Sequence, residues 1–156
     1  MLYGENIYVG YRYYEAVELP VQFPFGWGLS YTTFALSNLQ VRAEGPTLSI
    51  HLRLTNAGTR TSSEVVQVYI SQRDPKITRP KKELKGFKKC RLGPKEDVDV
   101  ALHIPMKYAT SYWNEHAGAW MSDAGIYDVL VGNSSREADC LHGMFETVIT
   151  YSWNGL

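Results

Sequence analysis

Carboxylates come first among residues that could do chemistry: Asp74, Glu83, Asp97, Asp99, Glu115, Asp123, Asp128 and Asp139. Glycoside hydrolysis needs two of them facing one sugar, about 5–9 Å apart, on a scaffold that also forms a pocket. Each of these falls in a turn or at a polar strand position, where a solvated carboxylate is the simpler reading, and no pair is nominated. His51, His103, His116 and His142 lie far apart, and none pairs with a cysteine at a metal-ligand interval. There is no GxSxG, Walker loop or GxGxxG, and the Gly26–Trp27–Gly28 tripeptide sits in a proline-rich turn without a strand before it or a helix after. The sequence therefore predicts no catalytic residue, no metal site and no cofactor in this chain.

Surface chemistry is more promising. Trp113 and Trp120 bracket a polar turn and could stack on sugar rings, although aromatics of that size are more often packed in a core or an interface. Eight of the sixteen basic residues fall between Lys76 and Arg91, among them Lys81, Lys82 and Lys85. Such a run could grip an acidic polymer, but a solvated edge strand whose lysines discourage aggregation is the stronger expectation. Asn133, Ser134 and Ser135 form an Asn-x-Ser acceptor, a polar turn unless the chain is secreted and glycosylated.

Short strands must position these residues. From Phe34 onward, seven runs alternate with turn signals: 34–41, 47–56, 64–71, 83–92, 96–104, 125–132 and 140–151. In the second, Leu48, Ile50, Leu52 and Leu54 share one face and Ser49, His51, Arg53 and Thr55 the other; Val66, Val68 and Ile70, and Val98, Val100 and Leu102, should likewise point inward. Gly93–Pro94 predicts a hairpin between its flanking strands. Asp123, Gly125, Tyr127 and Val129 reproduce the tyrosine corner of immunoglobulin-like domains; valine at 129 removes the inter-sheet disulfide and points to the fibronectin type III branch. The predicted fold is an all-β antiparallel sandwich of about seven strands. Cys90 and Cys140 read as small buried hydrophobes. Ahead of the sandwich, ten of the twenty aromatics crowd into 34 residues, from Tyr3 to Phe34. Ile7, Val9, Tyr11 and Tyr13 alternate as in a strand, and prolines and glycines then forbid regular structure over 20–29. Sixteen Lys+Arg against sixteen Asp+Glu leave no net field to draw nucleic acid or an anionic membrane, and no apolar run reaches the ~20 residues of a membrane helix.

The segments 10–14 (GYRYY), 23–34 (FPFGWGLSYTTF), 64–70 (EVVQVYI), 79–87 (RPKKELKGF) and 111–113 (SYW) resemble the C-terminal region of glycoside hydrolase family 3 β-glucosidases of fungal type, over nearly the whole chain. The resemblance implies an arm, residues 1–33, leading from a preceding α/β sandwich into a fibronectin type III-like domain, residues 34–156. It implies a parent that hydrolyses terminal β-D-glucosyl residues, with its nucleophilic aspartate on an N-terminal barrel and its acid/base glutamate in the middle domain. No segment here matches either, so the chain, which looks like a piece of a larger hydrolase, is expected to be a non-catalytic accessory module packed on those two domains. Tyr11, Arg12, Tyr13, Tyr14, Phe23, Phe25 and Trp27 are the candidate docking residues. The family implies secretion. The alternative is attachment to plant cell wall polysaccharide or lignin through Trp113, Trp120, Lys81, Lys82 and Lys85.

Overall fold

The computed structural model describes residues 4–155; Tyr3, the first aromatic of the arm, lies outside the described residues. Ten strands form: β1 (Phe34–Glu44), β2 (Thr47–Asn56), β3 (Ser62–Gln72), β4 (Glu83–Leu92), β5 (Asp97–Pro105), β6 (Tyr112–Asn114), β7 (Ala119–Ser122), β8 (Gly125–Gly132), β9 (Leu141–Thr147) and β10 (Tyr151–Trp153). Seven long strands make the two layers, in the orders β1-β2-β5 and β4-β3-β8-β9, all antiparallel. The three short strands, β10-β7-β6, form a small sheet of their own. Strands of three or four residues carry too little alternation to announce themselves in sequence, which is why seven were expected and ten are found.

The core fills the space between the layers. Leu48, Ile50, Leu52 and Leu54 of β2, with Val100, Leu102 and Ile104 of β5, meet Val66, Val68 and Ile70 of β3 and Tyr127, Val129 and Val131 of β8. At about 1.5–3 kcal/mol for each fully buried large apolar side chain, this one cluster supplies most of the drive to fold. Ser49 departs from the wet face assigned to it: it is buried, with its hydroxyl 3.2 Å from His103 Nδ1.

Three sequence expectations are corrected. Gly93–Pro94 does turn the chain, but β4 pairs with β3 and β5 with β2, so the turn carries the chain from one layer to the other and no hairpin forms. Val98 lies opposite the buried Leu54, yet it sits near the start of edge strand β5 and stays exposed. The aromatic alternation around Tyr11 is not a strand: Tyr11–Ala16 is a short helix, α1, entered through Gly10 at φ 59° and ψ −129°. That backbone is costly for a residue with a Cβ and cheap for glycine. A second short helix, α2 (Met106–Thr110), leads from β5 toward β6.

Candidate functional site

Gln67 and Tyr69 occupy the outward row of β3, and Leu130 the outward row of β8, yet all three are buried and Tyr69 is fully inaccessible. The arm covers them. Helical spacing aims Tyr11 and Glu15 at the sheet. The Tyr11 ring meets Tyr69 edge-on at 5.8 Å and Phe25 at 5.3 Å, while its hydroxyl accepts the Leu84 N–H at 2.8 Å. Farther along the arm, the Ser135 N–H donates to the Phe25 carbonyl at 2.8 Å and Thr32 donates to the Asn56 side chain. Gly26, at φ 81°, passes so close to the Gln67 side chain that a Cβ would collide with it. Tyr69 donates to Gln67 at 2.6 Å, and Gln67 to the Asn133 carbonyl at 2.7 Å. A groove of about 800 Å³ runs between arm and sheet, walled by Tyr14, Phe23 and Phe25 on one side and by Leu130 and His142 on the other.

Lys82, expected in a solvated run, is buried under this arm: its side chain is 6% exposed and pairs with Glu15 at 2.8 Å. Burial pushes the Glu15 carboxyl up, against the pull of Lys82, and its second oxygen has no partner among the described residues. Lys81 pairs with Glu18 at 2.6 Å. Lys85 joins a tighter group. Glu83, 17% exposed, is met by Arg79 at 3.0 Å and by Arg12 and Lys85 at 3.4 Å each. Burial alone would raise the Glu83 carboxyl, but the three cations outweigh it and hold it below its ordinary value of 4.5. Burial depresses the Lys85 ammonium, Glu83 opposing and Arg79 and Arg12 adding to the depression. The polymer reading of Lys81, Lys82 and Lys85 needed free cations at the surface; Lys81 and Lys82 each have a carboxylate, and Lys85 is largely buried and shares Glu83 with two arginines. Glu83 and Asp123, read as solvated, are largely buried.

The arm leaves much apolar surface exposed. Twelve large hydrophobic side chains between Ile7 and Tyr31 are exposed, against nine in all the other described residues. Tyr13, Tyr14, Phe23, Phe25 and Trp27 are each 41% to 59% exposed, and the Phe23 and Trp27 rings lie 4.7 Å apart.

At the opposite turn, buried Tyr127 donates its hydroxyl to the Asp123 carbonyl at 2.7 Å. Thr147 donates to the same oxygen at 3.0 Å, and the Asp123 carboxylate takes Lys76 and the Tyr112 hydroxyl. Gly125 starts β8 there with φ 151°. Trp113 is 48% exposed and edge-on to Trp120, which stacks on Trp153 at 5.6 Å. Lys107 lies over both Tyr108 and Trp153. Sequence reading singled out Trp113 and Trp120 and missed Tyr108, Lys107 and Trp153, which come together only where α2 meets the small sheet. Asn133 is exposed, and its side chain reaches Glu64 at 3.3 Å. Cys90 and Cys140 are free and half-buried, and burial pushes the Cys140 thiol up to about 11. Among the described residues no group of His, Cys, Asp or Glu is placed to hold a metal.

Comparison with known proteins gives this geometry a setting. Residues 64–135 match the fibronectin type III-like domain family. The fold superimposes with a TM-score of 0.93 on part of the β-glucosidase of Kluyveromyces marxianus, solved with glucose; identity is 46%, over 99% of this chain and 19% of that one. It superimposes with a TM-score of 0.90 on β-glucosidase 3B of Thermotoga neapolitana (42% identity, 98% and 21%) and of 0.86 on the GH3 β-glucosidase of Bifidobacterium adolescentis (38%, 92% and 21%). The chain spans 18% to 19% of the length of fungal relatives that it matches from end to end.

Proposed function

Since this chain belongs to the fibronectin type III-like domains of glycoside hydrolase family 3 β-glucosidases, we propose that it is a non-catalytic accessory module of such an enzyme. Its arm docks on the barrel and α/β sandwich domains of a parent that releases terminal β-D-glucosyl residues, and the docking stabilises them. The observation that carries the reading is that the arm is held in place yet still exposes apolar surface. Tyr11, Glu15 and the Phe25 carbonyl fix it to the sandwich, while twelve large hydrophobics remain exposed within 25 residues, Tyr14, Phe23 and Phe25 along the groove and the others elsewhere on the arm. A patch of that density is costly in water and marks an interface. Because the arm is already held in place, little ordering entropy remains to oppose association.

The test is to mix the chain with the hydrolase lacking this region. A rise in melting temperature and in retained activity is the expected result; no change in either contradicts the reading. The pure chain should not turn over an aryl glucoside.

Secretion follows from the family resemblance, and in a secreted parent Asn133 would carry a glycan. No helix among the described residues is long and apolar enough to cross a membrane. Attachment to cell wall polysaccharide or lignin is the second reading. Exposed Trp113 and Tyr108 favour it, and the engaged lysines weaken it.

A further inference from the structure

Several paired cations of this molecule are matched one to one, the buried Lys82 with Glu15 and the exposed Lys81 with Glu18, Lys76 with Asp123 and Arg73 with Asp128. The group at the foot of α1 is different. Arg12, Arg79 and Lys85 share the single carboxylate of Glu83. Arg79 is held on several sides: it donates to Gln72, to the Thr110 carbonyl and to Glu83, and it lies over the Tyr112 ring. Its role is structural. Arg12 and Lys85 each touch a Glu83 oxygen at 3.4 Å, and neither makes another ion pair among the described residues. The Arg12 guanidinium has five N–H donors in a planar fork, so most of its capacity is open.

Two positive charges are therefore uncompensated in a site where Lys85 is 15% and Arg12 33% exposed. Like charges held together away from water are unfavourable until an anion joins them. Three observations give the class of anion. The fork of an arginine matches a carboxylate in bidentate geometry. Arg12 is followed in the same helix by Tyr13 and Tyr14, both exposed. The chain as a whole has no net positive charge that would gather a polyanion.

We propose that Arg12 and Lys85 form a seat for a carboxylate, filled by an aspartate or glutamate side chain of the rest of the parent hydrolase when the arm docks. The proposal rests on the docking reading above and names the chemistry of the partner surface: an acidic side chain set among apolar ones.

A reversal of sign tests it. In the isolated chain, Arg12→Gln and Lys85→Met remove surplus positive charge, so the melting temperature should stay unchanged or rise by up to about 2 °C. In the intact hydrolase the same substitutions orphan the partner's carboxylate, so the melting temperature should fall by more than about 2 °C at low salt, and less at high salt. Phe23→Ala, which weakens the apolar contact alone, should destabilise the intact enzyme at either salt. Equal shifts for Arg12→Gln in the two settings, with Phe23→Ala still acting only in the intact enzyme, would overturn the seat and leave docking intact. Loss of the Phe23→Ala difference as well would overturn both. Arg12 is a third exposed, so Arg12→Gln carries the test alone if Lys85→Met does not fold.

Discussion

The Tyr11 hydroxyl accepts the Leu84 N–H at 2.8 Å where β4 departs from regular pairing with β3. Val68 lies opposite Gly86 and Tyr69 opposite Leu84, so Lys85 is the extra residue of a bulge. β4 is an edge strand, and an edge leaves backbone donors open to other chains. One residue of the arm occupies such a donor, and Lys85, the bulged residue, pairs with Glu83. Docking of the arm, protection of the edge and assembly of the charge cluster thus share one irregularity.

Tyr11→Phe should therefore cost about 1–2 kcal/mol, the worth of the bond plus a half-buried N–H left unmade. Urea unfolding measures the cost, and amide exchange should show Leu84 losing protection. An unchanged Leu84 exchange rate would mean that the phenol is not its partner in solution.

Tyr127→Phe should cost about 1 kcal/mol, since the phenol donates to the Asp123 carbonyl inside the core. The ring still stacks on Phe145 at 5.2 Å, so packing is kept. The denaturation midpoint should shift with no change in slope. A wild-type midpoint would remove the hydrogen bond from the account.

Acid should act on Glu83 in a defined direction. Its folded pKa lies below the ordinary 4.5, so its stabilisation is present above that value and is lost as pH falls through the lower, folded one. Glu83→Gln should lose on the order of 3 kcal/mol at neutral pH, because three cations keep no counter-charge. The gap between wild type and variant should close on acidification; a gap that stayed constant down to low pH would contradict the assignment.

Incubation with cellulose and with lignin should leave the chain in the supernatant. Lys81 and Lys82 are paired with Glu18 and Glu15, Lys85 is largely buried beside Glu83, and the Trp113 and Trp120 rings stand at 74°, which offers a polymer no flat platform. Depletion from the supernatant that Trp113→Ala abolishes would favour attachment instead.

Much of the sandwich was legible because burial wrote itself into period two. Leu48 to Leu54 and Val66 to Ile70 could face only one core, and Asp123, Gly125 and Tyr127 marked the turn before β8. Gly93–Pro94 was legible as a turn but not as a change of sheet, since turn chemistry fixes a reversal and not the next strand's partner. The arm was the least legible part. Its aromatics pack on one side only, so their spacing mimicked a strand, and the pairing of Glu15 with Lys82 joins residues that no local pattern relates. One signal was available: Gln67 and Tyr69 are bulky residues on the outward row of a strand whose other face was already the core, which announces a covered outer surface.

The central claim, that the exposed apolar surface of the arm is the docking face, is tested most directly by amide hydrogen exchange of the chain alone and within the intact hydrolase. The account predicts new protection concentrated in residues 7–31 and at Lys85, with β6 and β7 unchanged. Protection that appears on β6 and β7 and leaves residues 7–31 as they are in the isolated chain would contradict it.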